Sequence, residues 1–131
     1  MKKLQHANDL LGLAEDDLEA LKAYGTRIAL RTTYSAFHVQ QAIEKTLKAW
    51  IAGLGREYPL THNIAVLIDV LGRSNCDMAA FWDLADYTPY GVELRYSAPG
   101  EEIRRIDRRG AVERIEMLIS TVRKQLQAQE D

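Results

Sequence analysis

The chain has 131 residues, 47% of them hydrophobic and 27% charged, with a formal net charge of −2 and one cysteine. That is the size of one domain able to bury a core without staples, and the charge balance gives no global pull toward nucleic acid or an anionic membrane. Cys76 has no partner for an internal disulfide and no apolar run is long enough to span a bilayer, so a soluble, cytoplasmic protein is expected.

In chain order, Leu4, Ala7, Leu11, Ala14, Leu18 and Leu21 recur in steps of three and four. This predicts a first helix from about residue 3 to 24, with Gly25 as its stop. A second helix is predicted from Thr26 or Arg31 to Leu54, ended by Gly53 and Gly55, with Pro59 in the following turn. Thr61 is a candidate cap for a shorter third helix carrying Ile64, Leu67, Ile68 and Leu71 and closed by Gly72. Asn75 or Asp77 is placed to cap a fourth, running through Phe81, Trp82 and Leu84 to about Tyr87.

Pro89, Gly91, Pro99 and Gly100 mark residues 88–100 as a loop. A last helix follows from Glu101 or Arg108 to Gln127, with Val112, Ile115, Ile119, Val122 and Leu126 in heptad-like steps, and residues 127–131 read as a frayed tail. The expected fold is all-α, an up-and-down bundle of four to five helices in a single domain.

The second helix carries the most information. At about 100° per residue, Ala36, Phe37, Ile43, Leu47, Trp50, Ile51 and Leu54 gather into an apolar stripe. Arg31, Tyr34, Ser35, His38, Gln41, Ala42, Lys45 and Lys48 fall on the other side. A solvated face is usually plain Glu and Lys; this mixture of small residues, an aromatic, an imidazole, an amide and cations reads as a contact surface.

Within that helix, Phe37-His38-x-Gln40-Gln41-Ala42-x-Glu44-Lys45-x-Leu47-Lys48-Ala49 resembles the signature helix of HEPN domains, the higher-eukaryote and prokaryote nucleotide-binding family. An acidic first helix with Asp9, Asp16 and Asp17 precedes it. Leu60-Thr61-His62-Asn63-Ile64-x-x-Leu67 follows, then Leu84-x-x-Tyr87, Arg95-Tyr96 and a long closing helix. The resemblance spans essentially the whole chain.

It implies a small helical bundle that dimerises. In prokaryotes such a domain is often encoded beside a minimal nucleotidyltransferase, in a toxin–antitoxin-like pair. Other members are metal-independent RNases that place an Arg and a His, with four to six residues between them, near the start of the late helix. This chain departs from that pattern: Arg95 is followed by Tyr96-Ser97-Ala98-Pro99-Gly100-Glu101-Glu102, with no histidine there or later. Arg31 and His38 satisfy the spacing instead, on one face of the second helix two turns apart.

The candidate ligand-binding or interface residues are therefore Tyr34, His38, Gln41, Lys45, Arg95 and Tyr96, with Arg31, His38 and Arg95 the catalytic candidates. His38 suits either a hydrogen bond across a helix–helix or dimer contact or a ligand contact. Arg95, beside Tyr90 and Tyr96, suits a phosphate with a stacked base, or a tether of its loop to Asp86 or Glu93. Arg104, Arg105, Arg108 and Arg109 are interleaved with Glu101, Glu102 and Asp107, which favours a salt-bridged helix start over a phosphate-binding edge.

His62 reads as a helix-start or packing residue, His6 and Lys48 as surface, Trp50 and Trp82 as core, and Asp16 and Asp17 as acidic surface able to meet a cation. Three histidines without cysteine or carboxylate at ligand spacing imply no metal, and no cofactor is expected.

Two functions follow. One is a binding module: a homodimer that engages a nucleotidyltransferase partner, nucleotide or RNA. The other is a metal-independent endoribonuclease, with Arg31 or Arg95 steadying the phosphate and His38 as acid or base. If the Tyr34–Lys48 face is the isologous interface, Ala42→Glu is the substitution expected to break it.

Overall fold

The computed structural model describes residues 2–23, 31–87 and 108–130, with side-chain environments for residues 4–23, 37–87 and 109–129. Helix α1 spans Lys2–Ala23, α2 Arg31–Gly53, α3 Ile64–Arg73 and α4 Arg108–Glu130; a 3-10 helix covers Trp82–Tyr87. The fold is an all-α helical bundle, and among the described residues there is no strand. None of the described helices is long and apolar enough to cross a membrane.

The three long helices pack side by side. Asp17 of α1 meets His38 and Lys45 of α2, while Ala7 lies close to Gly53 near the other end, so α1 and α2 run antiparallel. Glu15 pairs with Arg123, and Lys22 with Glu116, which sets α4 antiparallel to α1 as well. The leucine and alanine steps of α1, from Ala7 to Leu21, are all buried. They meet Ile43, Leu47 and Ile51 of α2 and Ala111, Ile115, Leu118, Val122 and Leu126 of α4 in one core.

Helix α2 is central, touching α1, α3, α4 and the 3-10 helix. The expectation of one apolar and one polar face is corrected accordingly. Val39, Ala42, Thr46 and Ala49 are buried along with Ile43 and Leu47, and so are Gln40 and Glu44. Phe37, assigned to the apolar stripe, is exposed, whereas Ala42, assigned to the polar face, is sealed inside the protomer. A helix with neighbours on most of its circumference buries polar positions too, provided each finds a partner.

Two helix ends explain the turns around the candidate site. After α2, Gly55 takes a left-handed φ of 80°, and Gly55 N–H and Arg56 N–H donate back to the carbonyls of Ala52 and Ile51. This paired closure is the Schellman arrangement, in which a glycine avoids the Cβ clash. Gly53 serves a different end, the close approach of Leu126 from α4. Helix α3 closes the same way on Asn75, at φ 68°, with Asn75 and Cys76 N–H bonded to Gly72 and Leu71. Gly72 is thus inside the helix and is not its terminator.

The cap of α3 is Asn63, whose side chain accepts from Ala65 N–H. Thr61 makes the analogous bond one step earlier, accepting from Asn63 N–H. Asp77 accepts from Ala79 N–H as a cap would, but turns and the 3-10 helix follow where a fourth α-helix was expected. The 3-10 geometry leaves Trp82 50% exposed, which corrects its assignment to the core; Trp50, Phe81 and Leu84 are buried.

Candidate functional site

The polar residues of α2 form two clusters, each built on a buried carboxylate. Asp17, from the neighbouring turn of α1, receives His38 Nδ1 on Oδ1 at 2.7 Å and Lys45 Nζ on Oδ2 at 2.7 Å. His38 and Lys45 lie two turns apart on α2, so one carboxylate bridges both. The His38 ring also meets Phe37 edge-on, with centroids 5.7 Å apart.

Glu44 centres the second cluster. Gln40 Nε2 donates to its Oε1 at 2.7 Å, His62 Nδ1 donates to the same oxygen at 2.9 Å, and Lys48 Nζ lies 3.0 Å from Oε2. Burial pushes the Glu44 carboxyl up, but the bonds from Gln40, Lys48 and His62 and the Lys48 charge outweigh it and hold the group below its ordinary value. Gln40 also donates to the backbone carbonyl of His62 at 3.2 Å, and Gln41 donates to Gln40 Oε1 at 2.7 Å. Side by side along α2 the two clusters make its polar seam, one joined to α1 by Asp17 and the other to the α3 approach by His62.

Beyond Lys48 the seam reaches a cavity of about 780 Å³, between the start of α1 and the turn after α2. Lys48 Nζ stands 5.4 Å from the centroid of the Tyr58 ring. The Tyr58 hydroxyl is 2.9 Å from His6 Nε2, and the two rings are stacked at 5.9 Å. His6 is on the surface, as expected, but Lys48 is largely covered and ion-paired with Glu44, which corrects its reading as a solvated residue.

Among the candidate site residues, the structure brings His38, Gln41 and Lys45 into this seam. Arg31 and Tyr34 belong to the first turn of α2, and their side chains lie outside the described residues, as do Arg95 and Tyr96 entirely. Of the arginine run, Arg104 and Arg105 also lie outside, and Arg109 is exposed at the start of α4. Asp17, Gln40, Glu44 and His62 are the site residues that pattern reading undervalued. Gln40 and Glu44 stood in the signature motif, but their partners lie on other elements, and Asp17 looked like one more acid on an acidic helix.

Chemically, the arrangement offers imidazoles oriented by carboxylates, two lysines whose charges are compensated, and a mixed apolar and polar cavity at one end. The HEPN domain family model matches residues 7–126. No curated protein and no solved structure matches the chain. The order of the helices, the all-α bundle and a family match over nearly the full length agree, and the chain belongs to the HEPN domain family.

Proposed function

We propose that this HEPN domain is a non-catalytic binding module, a homodimer that engages nucleotide or RNA and partners a minimal nucleotidyltransferase in a toxin–antitoxin-like pair. The observation carrying this reading is Asp17, which takes both His38 and Lys45. RNA cleavage needs a cation beside the acid–base imidazole to stabilise charge developing on the phosphate. Lys45, the cation that shares a carboxylate with His38, is already neutralised by it. The sequence adds that no histidine follows His62, so the family's late Arg–His pair has no histidine to use.

The same contact also gives the endoribonuclease reading its support. A carboxylate on Nδ1 fixes an imidazole's orientation, and proton transfer would fall to Nε2. Arg31, two turns earlier on α2, or Arg95 would then hold the phosphate.

Incubating the purified protein with mixed RNA in the presence of EDTA, beside His38→Ala, separates the readings. The binding module leaves RNA intact in both samples and co-elutes with the nucleotidyltransferase encoded next to it. Cleavage by the wild type that disappears in His38→Ala would replace it with the endoribonuclease.

A further inference from the structure

We infer that the cavity between the start of α1 and the turn after α2 binds a mononucleotide, either free or as the end of an RNA strand. This deepens the nucleotide-or-RNA part of the proposed function and does not depend on a nucleotidyltransferase partner.

The lining supplies a complement for each part of such a ligand. The His6 and Tyr58 rings lie nearly parallel, 16° apart at 5.9 Å, and are tied by the 2.9 Å contact between His6 Nε2 and the Tyr58 hydroxyl. His6 Nε2 and the Tyr58 hydroxyl are engaged with each other and Lys48 Nζ stands over the Tyr58 ring, so what the pair offers a ligand is the flat surface of the exposed His6 ring, and a base stacks on such a surface whatever its sequence. Leu60 lines the same cavity and is 96% exposed, an apolar wall with almost nothing covering it.

Two charged neighbours complete the lining. Arg56 and Glu57 are exposed and make no ion pair with any described residue. A guanidinium suits a phosphate through two parallel hydrogen bonds, and a carboxylate accepts from ribose hydroxyls or an exocyclic amine. A sugar phosphate would leave the rings and Leu60 uncovered, and a purely apolar ligand would leave Arg56 and Glu57 without complements. A ring, hydroxyl donors and an anion in one molecule satisfy all of them. The volume of about 780 Å³ lies within the roughly 300–1,000 Å³ of small-molecule sites.

Calorimetric titration of the full chain with AMP, UMP, adenosine and a 5′-phosphorylated tetranucleotide tests the assignment. We expect saturable binding of a monophosphate or of the tetranucleotide, weakened about tenfold or more by Arg56→Gln through loss of the charge-assisted contact. Leu60→Ser should weaken it too, and Met117→Gln, on the exposed side of α4 and away from the cavity, should leave it unchanged. Binding of free monophosphate assigns a soluble nucleotide; binding of the tetranucleotide alone assigns a strand end. Absence of binding by folded wild-type protein at millimolar concentration overturns the inference, and so does binding that survives Arg56→Gln or disappears in Met117→Gln. Co-elution with a nucleotidyltransferase is read separately, so failure of one result leaves the other standing.

Discussion

The carboxylate of Asp17 on α1 reaches Lys45 on α2 at 2.7 Å, across 28 positions of sequence. Its other oxygen holds His38, and the carboxylate itself is buried. Exchanging it for an amide removes the charge and leaves one accepting oxygen where His38 and Lys45 each had their own. We expect Asp17→Asn to lower stability by about 1–3 kcal/mol, below the range for a fully buried pair because Lys45 and His38 keep some contact with water. Lys45→Met should cost less, since Asp17 retains His38. Urea denaturation of the single and double variants reads the coupling; equal, additive losses would show that the bridge contributes nothing.

The depressed Glu44 carboxyl gives a pH dependence with a definite sign. A group whose folded pKa lies below its ordinary value of 4.5 contributes stability that is fully present above that value. The contribution is lost as pH falls through the folded pKa, because protonation removes the negative charge to which Gln40, Lys48 and His62 donate. Denaturation midpoints at pH 7 and on descent below 4.5 should therefore fall more steeply in wild type than in Glu44→Gln, which has no charge to lose there. Parallel curves would remove Glu44 from the account.

Gly53 packs against Leu126, and an added Cβ would overlap the Leu126 side chain. Leu126 is itself buried and has little room to retreat. Gly53→Ala should destabilise by about 1–3 kcal/mol by overpacking, despite the better helix propensity of alanine. Thermal melting checks this; a raised melting temperature would show that propensity wins.

With Ala42 buried, Phe37 becomes the residue through which a dimer face on α2 is tested. It is exposed beside the partly exposed His38 and Gln41. If two protomers meet there, Phe37→Glu places a charge in the centre of the contact. The expected outcome in light scattering is a monomer with unchanged helical circular dichroism. An undiminished mass would put the dimer interface elsewhere.

Much of the fold was legible because burial on α1 and α4 follows a simple period. Leu4 to Leu21 and Val112 to Leu126 recur in steps that only a helix satisfies, even with the exposed Leu13 and Met117 standing among them. On α2 the same reasoning passed over Gln40, Glu44 and Thr46, since periodicity looks for apolar residues when it looks for burial. These three are buried because acceptors and donors reach them: Gln40 and Glu44 from each other and from His62, Thr46 by donating to the Ala42 carbonyl. Partners 18 to 28 residues away leave no mark on local spacing. The 3-10 helix was misread for a related reason. Asp77 gave a true capping signal, but a cap fixes where a turn starts and not how many turns follow.

The central position of α2 bears on how a domain of this kind stays identifiable. A helix with one free side can exchange its outer residues freely, since water accepts most side chains. Around α2 each position answers to a different neighbour: Ala49 to the core, Glu44 to three donors, Gly53 to Leu126. Few amino acids satisfy any one of these demands, so the permitted alphabet shrinks at each of these positions. A short stretch of chain constrained in this way works as a fingerprint.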